Sequence, residues 1–268
     1  SKASDDLPDP DNPVNTTILS RGMSMSTPLR LCSRAPRTTN RSATYIPPFQ
    51  RRIAYWELLG NDTRTVEIMT TELQLHHVSV GDMDNNSYLL AAGGEGLLID
   101  AAADADALLA LARDAGVDIT TVLTTHRHAD HVGALSQILS ATGARHISSF
   151  LDSPALPAPV DVEPRHGETF EFAGHELPAI ILRGHTPGGL ATAADIDGVT
   201  NLFVGDSLFP GGLGKTASEG DFFRLYKDVT ERLFNAYPDE AVVRPGHGAP
   251  TTLGEERPQL AEWRERRW

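Results

Sequence analysis

The stretch Thr124-Thr125-His126-Arg127-His128-Ala129-Asp130-His131 constrains this chain more than any other. Four metal-capable side chains fall within six residues, directly after the apolar pair Val122-Leu123. Neutral imidazoles and carboxylates are the usual ligands of zinc and similar ions. A lone His is more often a surface or core residue. Four ligand types this close are a different matter, because imidazoles crowded together without a metal are penalised as soon as they protonate. On a helix the four would spread over more than one face, whereas on a strand-to-helix turn they converge. The β-rich run Ile119–Leu123 before the stretch and the amphipathic run Val132–Leu139 after it predict such a turn.

Three further candidates lie downstream in the same context. His185 sits in Gly184-His185-Thr186-Pro187-Gly188 after the apolar run Ala179–Leu182. Asp206 follows Leu202–Val204, and His247, in Pro245-Gly246-His247-Gly248, follows Ala241-Val242-Val243. Each stands at the exit of an expected strand, where a rigid scaffold carries its site-bearing loops.

The order His126-x-His128-x-Asp130-His131, Gly184-His185-Thr186-Pro187-Gly188, Gly205-Asp206-Ser207-Leu208-Phe209 and Pro245-Gly246-His247-Gly248 resembles the metallo-β-lactamase superfamily, and within it the glyoxalase II-like hydrolases. The resemblance runs from about Leu73 to Pro258. It implies an α/β fold, an αββα sandwich with two metals at one edge. His126, His128 and His185 would hold the first metal. Asp130, His131 and His247 would hold the second, and Asp206 would bridge them. It further implies that Asp100, at the end of Leu97-Leu98-Ile99, orients a metal-bound His from behind, an arrangement common around metal sites; a plain strand-end turn is the alternative. Lys215, in Gly212-Leu213-Gly214-Lys215, matches the segment whose Lys contacts the glutathione part of a thioester.

Three departures bear on the substrate. Ala217 stands where an aromatic residue is expected, and Gly189 stands where many relatives have His or Ser. Only 21 residues follow His247, so the family's helical C-terminal domain is not expected here. Two divalent metals, zinc first with iron or manganese as alternatives, would lower the pKa of water and polarise an acyl carbonyl. The expected activity is hydrolysis of a thioester or related acyl ester by hydroxide shared between the metals, with Asp130 as ligand and proton acceptor. A lactone or other ester hydrolase on the same site, and an iron-dependent persulfide dioxygenase, are the alternatives.

A net charge of −13 argues against a nucleic-acid surface, and the resemblance implies a small-molecule substrate. Cys32, the only cysteine, lies outside the motifs, so no thiolate enters the site and no disulfide forms within one chain. No run of about eighteen apolar residues and no secretory leader is present, so the reading is cytoplasmic and without a membrane span. Residues 1–68 contain no His, and Arg21–Arg52 holds seven Arg and no acidic residue. That composition predicts a disordered tail or N-terminal extension, with an organelle-import segment as the alternative. Arg51–Leu59 could pack as a short element, and Met69 opens the expected hydrolase domain, 69–268.

Within that domain, Leu73–Val80, Ser87–Ala92, Gly96–Ile99, Phe170–Phe172, Ala179–Leu182 and Leu202–Val204 read as strands. Asp104–Ala115 reads as a helix capped by Asp104 and closed by Gly116, and Asp221–Ala236 as a long helix with Phe222, Leu225, Val229 and Leu233 on one stripe. Glu255–Arg266 reads as a terminal helix interrupted at Pro258. Strands first and helices interspersed suit two sheets covered by helices. Gly212-Leu213-Gly214-Lys215-Thr216 ends like a phosphate-binding loop, but Phe209 fills the place of that loop's first Gly. His76, His77, His146, His166 and His175 lie off the motifs, where surface or strand-edge roles are expected.

Overall fold

The computed structural model describes residues 72–267. The expected tail, the short element at Arg51–Leu59, Met69 and Cys32 lie outside the described residues.

The chain begins with β1 (Gln74–Val80), β2 (Asn85–Ala92), β3 (Glu95–Ile99), α1 (Ala105–Ala115) and β4 (Asp118–Leu123). A short turn of helix at Ala129–His131 leads into α2 (Leu135–Thr142) and β5 (Arg145–Ile147). These five strands make one sheet in sequence order, antiparallel from β1 to β3 and parallel from β3 to β5. A hairpin of β6 (Thr169–Phe172) and β7 (His175–Pro178) follows, then β8 (Ile180–Leu182), β9 (Gly189–Ile196) and β10 (Val199–Gly205). After the small hairpin β11 (Leu208–Phe209) and β12 (Gly212–Leu213) come α3 (Glu219–Val229) and β13 (Val242–Pro245). β14 (Thr251–Thr252), α4 (Leu253–Glu256) and α5 (Leu260–Arg266) close the described chain. The second sheet has the order β14-β13-β10-β9-β8, with β10 and β13 parallel.

Strand side chains alternate between two buried environments, which explains why the strands read as apolar runs. Leu90, Leu97, Ile99, Leu123, Leu190 and Phe203 fill one core shared by the two sheets. Leu89, Leu98 and Val122, on the opposite face of the first sheet, pack against Leu108 of α1 and Leu135 and Ile138 of α2. Leu182, Leu202 and Val204 of the second sheet meet Phe222, Leu225 and Val229 of α3 and Trp263 of α5. The result is the expected αββα sandwich.

Boundaries differ from the sequence expectation in instructive places. α3 begins at Glu219 because Ser218 caps it, its side chain accepting from the Asp221 N–H. Past Val229 the helix widens into a π turn over Thr230–Phe234. Asp104 accepts from the Ala107 N–H and Gly116 closes α1, as expected. The terminal helix is interrupted as read, with a tight turn over Arg257–Gln259 around Pro258. None of the described helices is long and apolar enough to cross a membrane.

Candidate metal centre

The topology puts the ends of β3, β4, β8, β10 and β13 and the start of β2 at one edge of the sandwich, and all seven candidate ligands hang from those ends. His126 and His128 lie in the loop after β4, and Asp130 and His131 in the short helical turn beyond it. His185 follows β8, Asp206 follows β10 and His247 follows β13. Leu190 N–H at the start of β9 donates to the Thr125 carbonyl, 2.7 Å, joining the two sheets beside the site.

The side chains converge. His126 Nε2 is 3.1 Å from His128 Nδ1, and the His128 and His185 rings are 4.6 Å apart. His131 Nε2 lies 3.2 Å from His247 Nε2 and 3.4 Å from both Asp130 Oδ2 and Asp206 Oδ1. Asp206 Oδ2 is 3.6 Å from Nε2 of both His185 and His247, which places this carboxylate between two groups of imidazoles. Ligand atoms of His126, His128 and His185 fall within 4.8 Å of one another, as do those of Asp130, His131 and His247.

Four of the five rings are tethered through Nδ1. His131 Nδ1 bonds Asp100 Oδ2 at 2.8 Å, and His185 Nδ1 donates to the Lys215 carbonyl at 2.7 Å. His247 Nδ1 donates to the Met83 carbonyl at 2.9 Å, and His126 Nδ1 meets Thr125 Oγ1 at 3.0 Å. Thr125 in turn donates its N–H and hydroxyl to the Asp100 carboxylate, 2.7 Å each. A ring held through Nδ1 turns its other nitrogen to the opposite side, and in these four rings Nε2 faces the centre as the atom open to a metal. His185 Nε2 and Asp206 Oδ1 are buried there without a hydrogen-bond partner. Buried polar atoms are seldom left so. The donor set of imidazoles and carboxylates, without a thiolate, fits zinc, iron or manganese.

Electrostatics follow from this crowding. Burial, reinforced by the neighbouring imidazoles, holds His126 well below the ordinary histidine pKa of 6.5, and burial likewise lowers His185. For His131 burial acts the same way but is outweighed by Asp100 and Asp206, and its pKa is pushed up to about 10. A cation binding at Nε2 would displace that proton. For Asp130 burial works against ionisation, but the bond from Asn85 and the charges of His131 and His247 hold it as a carboxylate, below its ordinary range.

Gly246 is required by space, not by backbone conformation. A methyl there would run into Asp206 Oδ1 and lie 2.6 Å from His131 Cε1. Gly184, at φ +139, beds the His185 turn on α3, where a methyl would be 2.6 Å from Leu225 Cβ.

The side chain of Lys215 is not part of this cluster. It is exposed and lines a surface pocket with Leu213, Ala217 and Arg267, while its carbonyl anchors His185. Gly189 is buried at the start of β9, where a side chain would press on the Leu182 carbonyl at 2.9 Å. His146, on the edge strand β5, is buried rather than exposed, bonded to Thr124 Oγ1 and the Pro159 carbonyl.

Two supports escaped the sequence reading. Asp152, fully buried, accepts from Arg127 N–H and Gly188 N–H and so links the loops of His126–His128 and His185. Asn85 and Asn86, at the start of β2, touch the His247 side of the site. Asn85 Nδ2 donates to Asp130 Oδ2 at 3.0 Å. The available signal was a pair of amides, residues disfavoured in strands, opening an otherwise apolar strand.

An αββα sandwich with a His/Asp cluster at one edge defines the class. The metallo-beta-lactamase superfamily model matches residues 80–247, and the chain belongs to that superfamily. A hydroxyacylglutathione hydrolase of Roseobacter denitrificans is 38% identical over 167 residues, covering 61% of this chain and 62% of that protein. The chain thus spans about 62% of the length of the curated relatives it matches. Among solved structures, TTHA1623 in a di-iron-bound form superposes with TM-score 0.57 at 31% identity, covering 68% of this chain and 96% of that one. ETHE1 from Myxococcus xanthus gives TM-score 0.62 at 26% identity, covering 70% and 85%.

Proposed function

We propose that this chain is a metal-dependent hydrolase of a thioester or related acyl ester, similar in activity to the hydroxyacylglutathione hydrolases it resembles. The observation that carries the reading is the set of four imidazoles tethered at Nδ1 with Nε2 turned inward, three of which, His131, His185 and His247, lie within 3.6 Å of the Asp206 carboxylate. His126, His128 and His185 would hold one divalent metal; Asp130, His131 and His247 would hold a second, and Asp206 would serve both. Zinc is the first choice, and the di-iron form of TTHA1623 keeps iron in view. Such a pair supplies Lewis acidity towards a carbonyl and water made acidic enough to react at neutral pH.

The chain's own residues do the rest. Asp130, held ionised and fixed by Asn85, orients the attacking water and accepts hydrogen bonds from it. Asp100 and Thr125 lock the rings of His131 and His126, so that little reorganisation is left for the reaction. Water adds its oxygen to the acyl carbon and the carbon–sulfur bond breaks. The products are a carboxylate, a thiol and one proton. Lys215, exposed on the loop whose carbonyl anchors His185, would grip an anionic tail of the thiol carrier. Ala217 leaves that grip without aromatic packing, so glutathione carriers would not be strongly preferred.

The test is metal content per full-length chain, with the element identified, and a panel of acyl thioesters, lactones and a glutathione persulfide assayed with and without oxygen. Two metals and oxygen-independent thioester cleavage support the proposal. Turnover of the persulfide alone, with one iron and matching oxygen uptake, would replace it with a dioxygenase, for which the same donor set is suitable.

A further inference from the structure

The start of β2 belongs to the first sheet, yet it reaches across to the loop that ends β13 of the second. Asn86 is buried and every polar atom of its side chain is engaged. Its Nδ2 donates to the Pro245 carbonyl at 3.0 Å and the Gly248 carbonyl at 2.9 Å, and its Oδ1 pairs with His77 Nε2 at 2.8 Å. Two carbonyl partners fix which end of the amide carries the hydrogens. The Asn86 N–H donates to the Gly246 carbonyl at 2.7 Å, and the Tyr88 hydroxyl donates to the Pro245 carbonyl at 2.8 Å. Residues on both sides of His247 are therefore held by one strand of the opposite sheet.

Asn85 acts on the same residue from the other direction. It is buried, its Nδ2 bonds Asp130 Oδ2, and it lies 3.4 Å from His247 Nε2. Because His247 is held through Nδ1 by the Met83 carbonyl, its Nε2 is left for a metal, and Asn85 stands beside that atom. The amide therefore touches the inward atoms of two of the three residues in one ligand group. None of these contacts reaches His126, His128 or His185.

From this asymmetry we infer that Asn85 and Asn86 are positioning residues for the Asp130–His131–His247 metal subsite alone. Asn85 fixes the carboxylate, and Asn86 fixes the loop that presents His247. The inference rests on the two-metal reading above. It makes occupancy of one subsite tunable from a strand that contributes no ligand.

The experiment is a titration of metal-free, full-length protein with zinc, followed by calorimetry, for the wild type and for Asn85→Ala, Asn86→Ala and His77→Ala. Losing an outer partner of a ligand typically weakens metal binding by about 10–100-fold. Asn85→Ala and Asn86→Ala should bind the first zinc as the wild type does and the second with about 10–100-fold lower affinity. His77→Ala, altered at an exposed residue and so safe for folding, should weaken the second zinc by a smaller factor by freeing Asn86 Oδ1. A purely structural role would weaken both zinc sites together, and that result overturns the inference, as do unchanged affinities in the two Asn variants. A wild type that binds only one zinc overturns the two-metal reading itself.

Discussion

Gly246→Ala tests the packing of the candidate metal centre with a single methyl. The glycine has no left-handed backbone to protect, so alanine is excluded by its neighbours alone. The new Cβ would meet Asp206 Oδ1 and stand 2.6 Å from His131 Cε1, where ordinary contact begins at 3.4 Å. The His131 ring would have to retreat by about 0.8 Å, but it is fully buried and bonded to Asp100 at 2.8 Å. Moving the backbone instead would strain the bonds from Gly246 N–H to Gly205 O, 2.9 Å, and from Asn86 N–H to Gly246 O, 2.7 Å. Overpacking of this kind costs about 1–3 kcal/mol, and misplacing reacting groups by about 1 Å costs on the order of 10²-fold in rate. We expect Gly246→Ala to lose bound metal on buffer exchange and at least about 10²-fold in hydrolysis. The matched control is Gly198→Ala in the β9–β10 turn, at φ +79 with nothing within 4 Å. It should cost about 1–2 kcal/mol from the left-handed backbone and leave metal content unchanged. Elemental analysis and thermal unfolding of the two variants separate the effects. Wild-type metal content and activity in Gly246→Ala would refute the geometry from which this reasoning starts.

Asp100→Asn removes the anion behind His131 and disturbs Thr125, so metal affinity should fall by about 10–100-fold in a competition titration against a chelator, with the fold retained by circular dichroism. In metal-free protein, His126 and His185 are held below 6.5, so stability should decline as pH falls through about 6.5, where the unfolded chain takes up protons first. His131, raised to about 10, contributes stability that is complete below about 6.5 and lost as pH rises through about 10. Denaturant unfolding across that range should show both declines, and the alkaline one should vanish in Asp100→Asn. Lys215→Ala should raise KM more than it lowers kcat, because a contact to a remote anionic tail acts equally on ground and transition states; the reverse pattern would move Lys215 into the chemistry. A chain beginning at Met69 should fold and bind metal like the full-length protein, checked by solubility and metal content, since every described ligand-type residue lies beyond that point.

The site was more legible in the sequence than the scaffold that holds it. His126, His128, Asp130 and His131 are local to one another, and each remaining candidate ligand follows an apolar run, so spacing and the resemblance together marked them out. Strand β9 was missed because Gly189-Leu190-Ala191-Thr192-Ala193-Ala194 has small side chains with weak β preference, and burial on both faces, not propensity, makes it a strand. The hairpin partner β7 hid behind a Pro and two polar residues. The start of α3 depended on Ser218 as a cap, four positions before Phe222, where the apolar stripe used to find the helix begins. The Asn86 contacts could not be read at all, because they join residues 159 and 162 positions apart.

That separation also sets an order of assembly. His131 and His247 are 116 positions apart. At a synthesis rate of about 5–20 residues per second, roughly 6–23 s pass between their emergence. During that interval the nascent chain displays the imidazoles of His126, His128 and His131 without their last partner, and β10 waits for β13 to dock at its side. The cluster is a convergence point in time as well as in space, closing only after the second sheet has received its late parallel strand.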